Sequence, residues 1–222
     1  MNYTFQFGVL WDYGPYLAWG LWHAWWVSFP SIILTTLMGL ALAAMSLSRF
    51  RSARTAAVVF VDFFRTLPVV VLLIWIHYVL PILTGLNFSA TTSSIVALSL
   101  NGAALACEAY RGGLSAIPLT QTQAAQSLGF SRWQILRYVT FPQAFFATLP
   151  SLTNVQITVI KNVTVTVLIS VPEVMFRAQE LTVQFFRPLE LYTGAALLYV
   201  ALIWGYTMLM RSVERLQKWQ PI

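Results

Sequence analysis

Few side chains in this 222-residue chain can hold a charge or move a proton, and their spacing limits what they can do. Lys161 stands in an apolar stretch eleven residues beyond Pro150. If a membrane crossing began at Pro150, the helical rise would carry its ammonium about 16 Å deep. A cation at mid-bilayer costs at least about 2.5–3.5 kcal/mol, so it must face a polar path or a partner. Two readings stay open: contact with a substrate carboxylate or a gate, or a structural pair with a carbonyl or carboxylate. Asp62 with Arg65, and Glu108 with Arg111, have the spacing of local ion pairs on one helix face. His23 and His77 have no His, Cys or carboxylate neighbour at ligand spacing, so no metal site is expected. Cys107 is the only cysteine and reads as a small apolar packing residue. Nothing matches the phosphate loop G-x-x-x-x-G-K-[ST], so any ATP used must bind another polypeptide.

The elements that position these groups must be membrane helices. Hydrophobic residues make up 58% of the chain and charged ones only 9%, against roughly 25% in an ordinary soluble domain. A bilayer core about 30 Å thick needs roughly 20 apolar residues per helix. Apolar runs at roughly 17–47, 57–83, 91–110, 145–170 and 190–211 are each long enough. The expected fold is all-α, one polytopic membrane domain over 1–222 with about five transmembrane helices. The formal charge of +6 reflects topology rather than nucleic-acid binding, because the basic residues sit at span ends. Arg49, Arg51 and Arg54, then Arg111, Arg132 and Arg137, then Arg211, Arg215 and Lys218 mark three cytoplasmic segments. The N-terminus is therefore expected outside and the C-terminus inside. With no basic residue before Arg49, a secretory signal is not expected and the first span stays in the protein. Trp11, Trp19, Trp22, Trp25 and Trp26 read as an interfacial aromatic belt. Asn101, flanked by Ser99 and Gly102, lines a pathway or, by preference, hydrogen-bonds a neighbouring helix.

Between the third and fourth spans lies a polar stretch, about 111–142, too hydrophilic to cross. Thr120 with Gln123 fits a capping box, Gly129 a helix C-terminus and Ser131 with Gln134 a second box. Thr140 with Gln143 makes a third, with Pro142 in the first turn. These signals predict a short helix, a sharp glycine turn and a second short helix. Such a rigid knuckle suits docking into a partner's groove, with Leu128, Phe130 and Trp133 as apolar anchors.

This stretch resembles the cytoplasmic coupling loop of ABC importer permeases, whose pattern is E-A-A, then G, then a hydrophobic-Pro pair. The matching residues are Gln123-Ala124-Ala125, Gly129 and Phe141-Pro142. The longer pattern of the polar amino acid subfamily (histidine, glutamine, arginine, glutamate and cystine importers) includes E-x-x-R-x-G, matched by Glu108, Arg111 and Gly113, and continues through Ile117, Pro118 and Gln121. Phe63-Phe64-Arg65-Thr66-Leu67-Pro68 is similar to its F-R-G-T-P, and Ile160-Lys161-Asn162-Val163-Thr164 to its L-K-D-T-S.

The resemblance implies the type I importer permease fold and a transport subunit rather than an enzyme, with no cofactor of its own. ATP and Mg would sit on two copies of a separate ATPase. A second permease subunit, a different chain by preference over a second copy, and a periplasmic solute-binding protein would complete the complex in the membrane lipid of a bacterial inner membrane, with no nucleic acid involved. It implies ATPase coupling through the loop and a translocation path lined by the third to fifth spans; from the residues themselves, Glu108, Arg111 and Gly113 are candidates for loop bracing, Lys161, Asn101 and Thr164 for pathway or substrate contact, and Asp62, Arg65 and Pro68 for a structural or pathway role. Departures from the pattern each remove charge, polarity or backbone freedom: Gln123 for Glu, Thr66-Leu67 for G-T, Leu72 for a frequent Gln, and Asn162-Val163-Thr164 for D-T-S. An ion-gradient transporter would want membrane carboxylates, and between Asp62 and Glu173 only Glu108 is present. A membrane anchor without transport is the other alternative.

Overall fold

The computed structural model of the chain describes residues 4–215, so Lys218 of the basic C-terminal tail lies outside the described residues. Those residues form helices with no strand among them: α1 (Gly8–Asp12), α2 (Gly14–Ser46), α3 (Arg51–Thr66), α4 (Val69–Thr84), α5 (Ala90–Ser115), α6 (Leu119–Ser127), α7 (Arg132–Ile169), α8 (Val174–Phe185) and α9 (Pro188–Glu214). α2, α5, α7 and α9 are each long and apolar enough to cross a bilayer. The second apolar run differs from a single straight span: α3 and α4 meet at a bend of 103° around Leu67 and Pro68. By length and composition the described residues therefore hold four crossings, or five if this bent pair is one span.

Helix packing in a bilayer gains nothing from excluding lipid, so close backbone approach and dispersion must hold the bundle. α5 is the central element, packed on α2, α3 and α7. A methyl built on Gly102 would lie 2.3 Å from Thr35 Oγ1, and one on Gly39 2.5 Å from the Ala106 Cβ. The α2–α5 seam therefore admits only hydrogen at both places. Ala103, Ala104 and Cys107 of α5 bury against Leu42 and Ala43 of α2 and Ala57 and Val61 of α3, which makes Cys107 a packing residue. Leu17, Ala97, Ile160, Val163 and Leu191 belong to the larger core, which draws on α2, α5, α7 and α9.

Two long helices carry widened π turns, over Trp75–Val79 in α4 and Leu136–Thr140 in α7. Each lies just before a proline, Pro81 and Pro142, whose ring crowds the carbonyl four residues back and offers it no N–H. Those carbonyls belong to His77 and Tyr138, the central residues of the two π turns. The turns close instead by bonds from Leu80 N–H to Trp75 O and from Phe141 N–H to Leu136 O, one residue longer than helical. Pro30 and Pro150 lie inside α2 and α7 without such widening, and nothing in the structure explains the difference.

The knuckle forms with two changes. α6 starts at Leu119 with Pro118 at its N-cap, so Thr120 is already helical and caps nothing: the helix begins two residues earlier than a Thr120 cap would start it. Likewise Thr140 lies in the π turn, helical in backbone, and Gln143 Nε2 donates to Val139 O inside a continuous α7. The Ser131–Gln134 box is complete in both directions. Gly129 adopts a φ of +82°, and Gly129 N–H to Gln126 O with Phe130 N–H to Ala125 O make the paired bonds of a Schellman motif.

α5 and α7 come close at Gly113, where an added methyl would fall 1.9 Å from Thr148 Oγ1, whereas Gly112 next to it has nothing within 4 Å. Gly113→Ala is expected to destabilise the purified protein by about 1–3 kcal/mol through overpacking. Gly112→Ala should be neutral or stabilise by up to about 1 kcal/mol through helix propensity. Thermal unfolding of the two variants in the same detergent checks the contrast.

Candidate functional site

Three regions gather the polar and exposed groups that the apolar bundle leaves over: the α3–α4 elbow, a cavity beside Lys161, and the knuckle. The elbow follows from one residue. Pro68 has no N–H to donate to the Phe64 carbonyl, so α3 ends at Thr66 and Leu67 turns to extended backbone. Asn101 of α5 supplies the missing donor, Nδ2 to Phe64 O at 2.8 Å, with its side chain buried. Asn101 thus bonds a neighbouring helix and is absent from the lining of the Lys161 cavity. Asp62 and Arg65, on the exposed side of α3, pair at 3.3 Å. Their exposure to screening makes the pair worth little.

Lys161 faces a cavity of about 690 Å³ lined also by Val70, Thr164, Met175, Tyr192 and Tyr199. Among the described residues the Lys161 ammonium makes no hydrogen bond or ion pair. Thr164 turns its hydroxyl to the Lys161 carbonyl at 2.9 Å, and the chain tightens there into 3₁₀ winding over Val163–Ile169. Behind the cavity, Glu173 is fully buried: it accepts from the Tyr199 hydroxyl and from the N–H groups of Met175 (2.8 Å) and Phe176 (2.9 Å), capping α8. Burial pushes the Glu173 carboxyl above its usual range, against those three hydrogen bonds, which pull it down.

On the knuckle, Leu128 and Trp133 are 77% and 67% exposed, with Phe130, Gln123, Ala124 and Gly129 also open. Ala125 and Ile135 turn inward, and Pro142 is half-buried where α7 leaves the π turn. Glu108 and Arg111 pair at 3.0 Å on the last turns of α5, one helical step from Gly113. Among the described residues no three His, Cys, Asp or Glu side chains converge as a metal ion would require.

Two polar features had no forecast. Gln156 of α7 accepts from Tyr206 of α9 at 2.7 Å and donates to Thr36 of α2 at 3.2 Å, tying three helices together inside the bundle. A lone Gln five residues before Lys161 in an apolar run was the available signal. Glu190 is the second: it lies wholly buried, accepting from the Gln6 N–H at 2.9 Å. Arg187 donates to Thr4 O at 2.6 Å beside it.

The model of the binding-protein-dependent transport system inner membrane component family matches residues 22–219. The chain belongs to that family. As such a permease it is a transport subunit of an ABC importer and not an enzyme; the ATPase of these systems is a separate subunit. It is 32% identical to a "probable amino-acid ABC transporter permease" of Bacillus subtilis strain 168, over 90% of this chain and 88% of that one. A glutamine transport system permease of Escherichia coli K12 is 29% identical over 96% of this chain and 98% of its own. The permease also superposes on a crystal structure of an amino acid ABC transporter with histidines, with a TM-score of 0.89, 28% identity and coverage of 96% and 99%. An inward-facing methionine ABC transporter shares the fold, with a TM-score of 0.76 at 18% identity, 92% of this chain and 97% of that one.

The Pro68–Phe64–Asn101 arrangement predicts a measurable coupling. Asn101→Leu orphans a buried carbonyl and should cost roughly 1–3 kcal/mol of stability. In a Pro68→Ala background, residue 68 has its own N–H to offer, so the same substitution should cost less. A double-mutant cycle in thermal unfolding checks it, and additive losses would contradict the assignment.

Proposed function

We propose that this permease forms one half of the membrane pore of a bacterial inner-membrane importer for a polar amino acid or similar small solute. Its N-terminus faces the periplasm and its C-terminus the cytoplasm, the orientation that puts Arg49, Arg51, Arg54, Arg111, Arg132 and Arg137 on the cytoplasmic side. The observation that carries the reading is the knuckle. Gly129 and the Ser131 box fix its backbone, yet Leu128 and Trp133 point away from the chain's own core. A stiff segment that exposes large apolar side chains among polar ones fits a partner's groove. That partner is an ATPase dimer, which carries ATP and Mg.

The substrate reading rests on Lys161. An ammonium without a partner, at the rim of a largely apolar cavity, suits a carboxylate. Thr164 shapes the backbone beside it, and Asn101 and Pro68 set the elbow from which Val70 reaches the same cavity. The amino acid relatives support this substrate class. A periplasmic binding protein delivers the solute. The neutral Gln123, where the family pattern has Glu, favours a second permease chain that keeps the charge over a second copy of this one. Isolation of the assembled complex with this permease alone, in two copies, would refute the heteromeric arrangement.

Replacing Gly129 by Glu places a charged side chain at positive φ and in the docking surface. Uptake by proteoliposomes holding the ATPase and binding protein should fall by about tenfold or more, while membrane insertion and monodispersity persist. Lys161→Met should lower uptake by about tenfold with ATPase binding unchanged, the loss expected for one charge-assisted contact. Normal ATP-driven uptake in both variants would overturn the proposal.

A further inference from the structure

The α3–α4 elbow has an outer side that the transport reading leaves unused. Arg51, Thr55, Val59 and Phe63 lie four residues apart and line an open groove of about 860 Å³ along α3. Val59 and Phe63 are 61% and 57% exposed. In the crook beyond them sits a more enclosed pocket of about 470 Å³, walled by Phe64, Leu67, Val71, Trp75, Leu80 and Leu100. Groove and pocket share Phe63 and Phe64, so they meet at those rings. The bend of 103° creates the crook, and the Asn101 bond to Phe64 O fixes its inner edge.

The two ends differ in chemistry. At one end of the groove Arg51 lines the opening, and its sequence neighbours Arg49 and Arg54 are exposed too, with no acidic residue in the first turn of α3 and no ion pair to any of the three among the described residues. At the far end the lining is hydrocarbon and aromatic carbon throughout except for the Trp75 N–H. From Arg51 to Phe63 the groove is about 18 Å long at the helical rise, somewhat more than half of the ~30 Å hydrocarbon core. A positive end followed by an apolar slot about 18 Å long matches a molecule with an anionic head and a long tail.

We propose that the α3–α4 elbow binds an anionic phospholipid, with its phosphate on the Arg49–Arg51–Arg54 rim and one acyl chain running past Val59 and Phe63 into the crook. The rim arginines supply selectivity for negative headgroups over zwitterionic ones. The crook holds the tail against the one broken crossing, so the lipid braces the hinge that Pro68 opens. The proposal needs only that the chain spans a bilayer, and it stands apart from the reading of the substrate.

Trp75 reports on the pocket directly. The full-length permease, with the subunits that co-purify, is placed in phosphatidylcholine nanodiscs containing traces of phosphatidylglycerol or phosphatidylcholine brominated on the acyl chains. The Trp75 signal is the fluorescence lost in Trp75→Phe, or in Trp75→Tyr should the first variant fail to insert. It should be quenched at about fivefold lower mole fraction of brominated phosphatidylglycerol than of brominated phosphatidylcholine. Arg49→Gln, Arg51→Gln and Arg54→Gln together should remove that preference. Arg51→Gln alone should at least halve it, which keeps the test open if the triple variant does not insert. Equal quenching by the two lipids would overturn the proposal, as would a preference that survives the arginine changes. Absence of quenching by either lipid would overturn it too, since the crook would then be covered by protein, such as a second permease subunit. No transport is measured, so an inactive preparation leaves the result intact.

Discussion

A peptide carbonyl in hydrocarbon must find a donor within the protein, because no water is there to offer one. In this permease the rule is tested hardest at Phe64. Pro68 removes the helical donor, and a side chain from another helix, Asn101, takes its place at 2.8 Å. Much of the arrangement depends on that substitution. It ends α3, allows the bend of 103°, ties the elbow to the central α5, and turns α4 so that Val70 reaches the Lys161 cavity while Trp75 and Leu80 close the crook behind it.

The same rule explains why the other prolines near helix ends do not break the bundle. Where Pro81 and Pro142 free a carbonyl, the backbone widens by one residue and re-forms bonds at the longer spacing. At Pro142 this keeps α7 continuous from the knuckle to Ile169, through Lys161. One continuous helix thus joins the knuckle to the cavity, with Gln156 linking that helix sideways to α2 and α9.

Side-chain polarity inside the bundle follows a matching economy. Ser28, Ser31 and Thr36 bond carbonyls of their own helix, so they present small, satisfied surfaces to neighbours. Gly39 and Gly102 let α2 and α5 touch backbone to side chain. Against that background, Lys161 is conspicuous as a charge that the permease itself does not neutralise among its described residues. Glu173 is its opposite, buried and fully hydrogen-bonded, a carboxylate that shapes the start of α8.

The amino-acid sequence by itself determined the solvent of the protein, the number of apolar runs, and the local punctuation of the knuckle. Apolar length, the Gly129 turn and the Ser131–Gln134 box are short-range facts, fixed by residues within a few positions of one another. It misplaced two caps, Thr120 and Thr140, because Pro118 and the π turn ahead of Pro142 compete for the same backbone groups. Only the tertiary structure decided that the second run is broken at Pro68, that Asn101 rather than water or backbone answers Phe64, and that Gln156 joins three helices. Those pairings span 37, 50 and 120 residues of chain, a range over which periodicity and capping carry no information. A proline announces that a carbonyl will be orphaned; which distant side chain meets it depends on how the helices pack.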